Sequence, residues 1–295
     1  MKPAVGPGAP RVVSARCDSF DVNTIREMLD LPDWQDRQRR TGVSTGLGGL
    51  DDLTGGLVPG VAWLVTGAPG VGVSVLARGF AASSALAGRR TNLICARDLA
   101  EEVSAGMVCA RGRVSSFGLA NGSLDDIDQD RVAQAVQSLG ATSLEILGAP
   151  VPWGIPRRPA ASLAPETVEK PVDVAPLLCH DRADHAEVVV IDDLDALARG
   201  SDVLTVLEVL RTNARLMLLA LVVTLPREAV MVGGRPSDRA VRAADVILHL
   251  ERDQDNRDDP RAGEIDIAVV RNRYGPTGMI TAAYQGHYRR IVGMG

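Results

Sequence analysis

The stretch "VAWLVTGAPGVGVSV", residues 61–75, constrains this chain more than any other. An apolar run breaks into glycines and resumes with helical character, which is the frame of a phosphate-binding loop. The Gly-x-x-x-x-Gly-Lys-Ser/Thr pattern is met at Gly67, Gly72 and Ser74, with Gly70 inside the loop. Val73 stands where an ammonium should meet the β- and γ-phosphates. Lys2 and Lys170 are the only lysines, a bias that exchanges Lys for Arg and therefore does not account for valine here. Alone, the frame is degenerate and fits a tight strand-to-helix turn equally well.

Context comes from the rest of the chain. Strand-like apolar runs at 61–66, 91–95, 143–147, 187–191 and 217–224 alternate with helical segments, the signature of an α/β fold with a mostly parallel central sheet flanked by helices. One domain over 41–295 is expected. Before it, residues 1–19 read as a mobile arm, and "DVNTIREMLDLPDW" spaces Val22, Ile25, Met28 and Leu29 as a short amphipathic helix ending at Pro32. Ser123 is read as the cap of a helix whose buried stripe is Val132, Ala135, Val136 and Leu139, stopped by Gly140. "VPWGIPRRPAASLAPETVEKP" is a surface excursion, and "ERDQDNRDDPRAGE" is the loop of a hairpin between "DVILHL" and "IDIAVV".

A net charge of -5 argues against a generic basic groove for nucleic acid. Cys17, Cys95, Cys109 and Cys179 show no C-x-x-C pair, so free thiols in a reducing compartment are expected. The first residues hold no apolar segment of signal-peptide length, and "LMLLALVV" at 216–223 is too short to span a bilayer. A soluble, cytoplasmic protein with no membrane partner is the expectation.

"EVVVIDDLDAL" ends a buried run in carboxylates, and Asp192 stands where an acid holds the Mg²⁺ shell opposite a phosphate loop. A strand-end helix cap would look the same. "IAVVRNRYGPTG" alone would be a hairpin with surface arginines. Taken with "STGLGGLDDLTGGLVPG", "MVCARGRV" and "RAADVILHLERD", however, the order and spacing over residues 41–291 resemble the RecA-like motor domain of DnaB-type replicative helicases.

That resemblance implies a P-loop NTPase fold binding ATP and Mg²⁺. It implies that Ser74 is the metal-binding hydroxyl and Asp192 the Walker B carboxylate, and that Arg273 is an arginine finger reaching a neighbouring subunit, with Arg271 at its side. It also implies departures. Arg97 aligns with the catalytic glutamate, Thr224 with the glutamine that senses the γ-phosphate, the central DNA-facing loop shrinks to about "ARGSD", and the family's helical N-terminal domain has no counterpart. Losing one charge-assisted phosphate contact costs about 1.5–3 kcal/mol, so Val73 weakens binding. A guanidinium stays protonated and cannot act as base, and Asp98 beside it is expected to face away from the site, as alternate residues of a strand do.

The expectation is a degenerate, nucleotide-sensing or structural relative that binds ATP and Mg²⁺ weakly. It is expected to assemble as a homo-oligomeric ring or helical array, with any contact to DNA weak and a protein partner left open. The alternatives are an active ATP-dependent helicase with unusual phosphate contacts, in which Arg97 replaces the lysine, and a scaffold that uses no nucleotide.

Overall fold

Strands joined through helices pair in parallel, and parallel pairing buries both of their faces, so the apolar runs belong at the centre of a sheet. The computed structural model describes residues 42–148, 186–198, 200–252 and 261–294. Their strands are β1 (Ala62–Gly67), β2 (Thr91–Cys95), β3 (Leu144–Gly148), β4 (Val188–Asp192), β5 (Ala220–Pro226), a short pair β6 (Met231–Val232) and β7 (Arg235–Pro236), β8 (Val246–Glu251), β9 (Glu264–Asn272), β10 (Gly278–Gln285) and β11 (Arg290–Gly293). Among the described residues the main sheet has nine strands in the order β11-β10-β9-β8-β1-β5-β4-β2-β3. The six from β8 to β3 run parallel. β9, β10 and β11 extend the sheet by antiparallel hairpins.

The helices are α1 (Gly48–Thr54), α2 (Val73–Leu86), α3 (Ala100–Gly112), α4 (Ser116–Asn121), α5 (Asp126–Gly140), α6 (Leu194–Ala198), α7 (Val203–Met217), α8 (Arg227–Val230) and α9 (Asp238–Ala243). Strand side chains alternate between faces, and two cores result. Trp63, Val65, Val188 and Val190 meet Leu76, Ala77 and Phe80 of α2 on one side, while Leu64, Val189 and Ile191 meet Leu204, Leu207 and Leu210 of α7 on the other. Trp63 and Phe80 pack edge to face, centroids 6.1 Å apart. None of the described helices is long and apolar enough to cross a membrane.

Three expectations need correction or placing. "LMLLALVV" is not one strand: Met217 ends α7, Leu218 adopts φ +53°, and β5 begins at Ala220. The cap of α5 is Asp125, whose carboxylate accepts from the Asp128 amide at 2.7 Å, rather than Ser123, and the helix runs through Gly140. Only Ala135 of the expected stripe is buried and Val136 is 52 % exposed, because α5 packs on α3 at the sheet margin and, among the described residues, no further layer lies outside it. The hairpin between β8 and β9 forms, although its tip at 253–260, the arm and helix of residues 1–40, and the proline-rich stretch lie outside the described residues.

Candidate functional site: a phosphate-loop cleft

Parallel neighbours present their carboxyl ends on one side, which brings residues distant in sequence together. Val65 of β1 pairs with Thr224 of β5, Val223 with Ile191 of β4, and Asp192 with Cys95 of β2. The loop after β1 closes over this edge. A Cβ on Gly67 would lie 2.7 Å from Val71 Cγ1 and 3.0 Å from the Leu250 carbonyl, so only glycine fits. Gly72 has φ +118°, and a Cβ there would meet Tyr284 Cε2 at 2.9 Å. α2 then starts at Val73, and its first-turn amides have no intrahelical acceptor. They face a cleft of about 390 Å³ walled by the loop with Gly67, Gly70, Gly72, Val73 and Ser74, and by Arg97, Asp192, Asp193, Thr224 and Tyr284. Val73 contributes only apolar wall and packs against the core.

Asp192 is 3 % exposed, and all its acceptor positions are taken. Ser74 Oγ donates to Oδ1 at 2.9 Å and Thr224 Oγ1 donates to the same oxygen at 3.0 Å. Oδ2 accepts from Nε and Nη2 of Arg78, at 3.0 and 2.8 Å. Arg78 stands one helical turn after Ser74 on the same face of α2. Its Nη2 also bonds Asp98. Burial lowers the Arg78 pKa, but Asp192 and Asp98 outweigh it, and the guanidinium is held above its ordinary value. Burial also pushes the Cys95 thiol beside this pair up to about 12, against the pull of Arg78.

The second pair of charges lies at the cleft mouth. Arg97, 66 % exposed, is ion-paired through Nε to Asp193, whose amide donates to Thr224 Oγ1 at 2.7 Å. Asp98 is not among the residues that line the cleft; β2 has ended by residue 96, and the carboxylate turns onto Arg78. Arg271 and Arg273 lie outside this cleft. β9 is antiparallel to β8, which carries them to the amino ends of β1 and β8, at the opposite edge from the loop. There Arg273 Nη1 is 3.7 Å from Asp245 Oδ1 and 46 % exposed, while Arg271 Nε donates to the Ala244 carbonyl at 3.3 Å. Asn272 between them donates to the Leu53 and Pro276 carbonyls, tying this turn to α1.

Residues 42–151 match the DnaB-like helicase C terminal domain family. Over those residues the chain is similar to the DnaB-like helicase C-terminal domain. It is 28 % identical over 273 residues to the replicative DNA helicase DnaB of Leifsonia xyli subsp. xyli, covering 86 % of this chain and 56 % of that one. To the DnaB of Mycobacterium intracellulare it is 24 % identical over 75 % of this chain and 39 % of the relative. The chain therefore spans about half the length, or less, of these curated relatives. Among solved structures, a DnaB-like replicative helicase described with its interactions with primase superposes with TM-score 0.74 at 16 % identity, over 94 % of this chain and 68 % of that one. At that identity the likeness establishes the fold, which is RecA-like.

The DnaB-like domain keeps a cradle that suits phosphate: a glycine loop, a 14-residue helix start and an adjoining cleft. The residues do not suit Mg²⁺. In P-loop proteins that ion is held between the loop hydroxyl and the Walker B carboxylate. Here the hydroxyl donates to one carboxylate oxygen, and a guanidinium, itself a cation, covers the other. Among the described residues no group of three His, Cys, Asp or Glu side chains is arranged to hold a metal. Sequence reasoning missed Arg78, Tyr284 and Arg252, which donates to the Gly70 carbonyl and covers the Tyr284 ring at 4.0 Å. The spacing of Arg78 from Ser74 on one helix was a readable signal. The other two come from distant strands and had none.

Proposed function

We propose that this DnaB-like domain does not turn over ATP and acts as a nucleotide-sensing or structural part of an oligomer engaged in DNA transactions. One observation carries the reading: each of the two carboxylates lining the cleft, Asp192 and Asp193, is held by a guanidinium. Water attack on a phosphoryl group needs an acceptor or orienting group for the nucleophile, and phosphoryl transfer needs cations against the developing charge. The acids are internally neutralised. Arg97 occupies the mouth where a base would act, and Val73 offers no charge at all.

The link to DNA comes from the relatives, which are replicative DNA helicases. Oligomer formation is supported by the position of Arg271 and Arg273. A finger role for Arg273 requires a second copy, because it lies at the far end of its own sheet. The test is ATP hydrolysis by the full chain with Mg²⁺, with and without single-stranded DNA, beside direct nucleotide binding. Binding with hydrolysis at background is expected. Turnover of about 1 s⁻¹ or faster, abolished by Asp192→Ala, refutes the proposal.

A further inference from the structure

We infer that Arg78, which covers Asp192 at the wall of the cleft, takes the place of a divalent ion on that carboxylate, and that the site takes the phosphates of a nucleotide without metal. The inference rests on reading the cleft as a nucleotide site and specifies what form of ligand it accepts.

Ionised carboxylate has about four acceptor sites. Asp192 receives four donors, two from hydroxyls on Oδ1 and two from Arg78 on Oδ2. A metal ion would have to displace a forked, charge-assisted contact to a buried acid, and would approach a fixed positive charge while doing so. Arg78 is 17 % exposed along its side chain and is also bound to Asp98, so the turn after β2 pins it in place. Asp98 faces Arg78 and Asp193 faces Arg97, so neither is a free anionic ligand for a metal.

The phosphate side of the cleft does not depend on a metal. The amides at the start of α2 have no side-chain cap and adjoin the cleft, an arrangement that suits an anion. Of the acids that line it, Asp193 is paired with Arg97 and Asp192 is covered from behind by Arg78. A cleft whose acids are already paired favours a ligand recognised by backbone amides and shape. The ligand class is a nucleoside di- or triphosphate in its metal-free form.

The experiment is equilibrium titration of the full chain with the fluorescent nucleotide mant-ADP, once with excess MgCl₂ and once with EDTA. Affinities equal to within about twofold are expected. A loss of about tenfold or more in EDTA, or no binding in either condition, overturns the inference. Arg78→Gln removes the charge and frees Oδ2, and Mg²⁺ should then tighten mant-ADP binding by about tenfold. If that variant does not fold, the comparison on the unaltered chain still decides. The two proposals fail separately. Metal-dependent binding without hydrolysis sinks only the resident-cation inference, whereas hydrolysis that is insensitive to EDTA sinks only the non-catalytic reading.

Discussion

Replacing Arg78 with alanine should destabilise the domain by about 3 kcal/mol, near the lower end of the cost of breaking a buried ion pair. Asp192 is nearly inaccessible and would keep only the Ser74 and Thr224 hydroxyls. The half-exposed Asp98 needs little from the guanidinium and adds little to the loss. In a domain of this size each kcal/mol shifts the melting temperature by about 2–4 °C, so a drop of about 6–12 °C should accompany the change. Urea unfolding followed by circular dichroism gives the free energy directly. The double variant Arg78→Ala with Asp192→Asn should recover a large part of it, because a neutral amide can be buried on two hydroxyls at lower cost. A single-variant loss below about 1 kcal/mol, the range of an exposed pair, would refute the reasoning, since the contact would then be a surface one.

Other outcomes follow from separate parts of the fold. Burial holds the Cys95 thiol near 12, above the ordinary 9, so its alkylation by iodoacetamide should not accelerate between pH 7 and 9 in the native protein, read site by site by mass spectrometry. The native state keeps a proton that the unfolded chain gives up, so this contribution to stability is full below pH 9 and is lost as the pH rises toward 12. Gly72→Ala should cost about 1–3 kcal/mol through its φ of +118°, and Tyr284→Ala in the same chain should relieve the 2.9 Å clash but not the backbone strain, as urea midpoints would show. The full chain should form an oligomer that dissociates when residues 1–35 are deleted. A monomer by light scattering at high concentration counts directly against this. Single-stranded DNA should bind no tighter than about micromolar at physiological salt, and nanomolar binding that survives high salt would contradict it.

Alternation of apolar runs with helical periods was enough to determine the parallel sheet, because both signals are local: a strand buried on two faces has to be apolar along its length, and a helix packed on it has to repeat its apolar side each turn. The loop glycines were legible for a similar reason, since Gly67 and Gly72 answer to close backbone approach and positive φ. Asp192 at the end of an apolar run announced its own place. The cap of α5 was misjudged by two residues because Ser123 and Asp125 carry equivalent acceptors, and only the observed bond to Asp128 separates them. Val136 was read as buried because a helix repeat says which residues share a face, and not how wide a layer covers that face.

What only the tertiary structure decided is where each charge goes. Arg78, Arg97, Asp98 and Asp193 can each be read from the sequence as solvated surface groups, and nothing local ranks one partner above another. Folding brings β2, β4 and the start of α2 within a side chain's length of each other, so that Arg78 reaches both Asp192 and Asp98 while Arg97 turns to Asp193. The sequence alone determined a glycine loop after an apolar run, with Val73 directly before Ser74. The pairing of strands far apart in the chain decided that an arginine one turn along the helix lies on the buried Asp192 carboxylate, because a buried acid takes its partner from whatever cation the sheet order brings within reach.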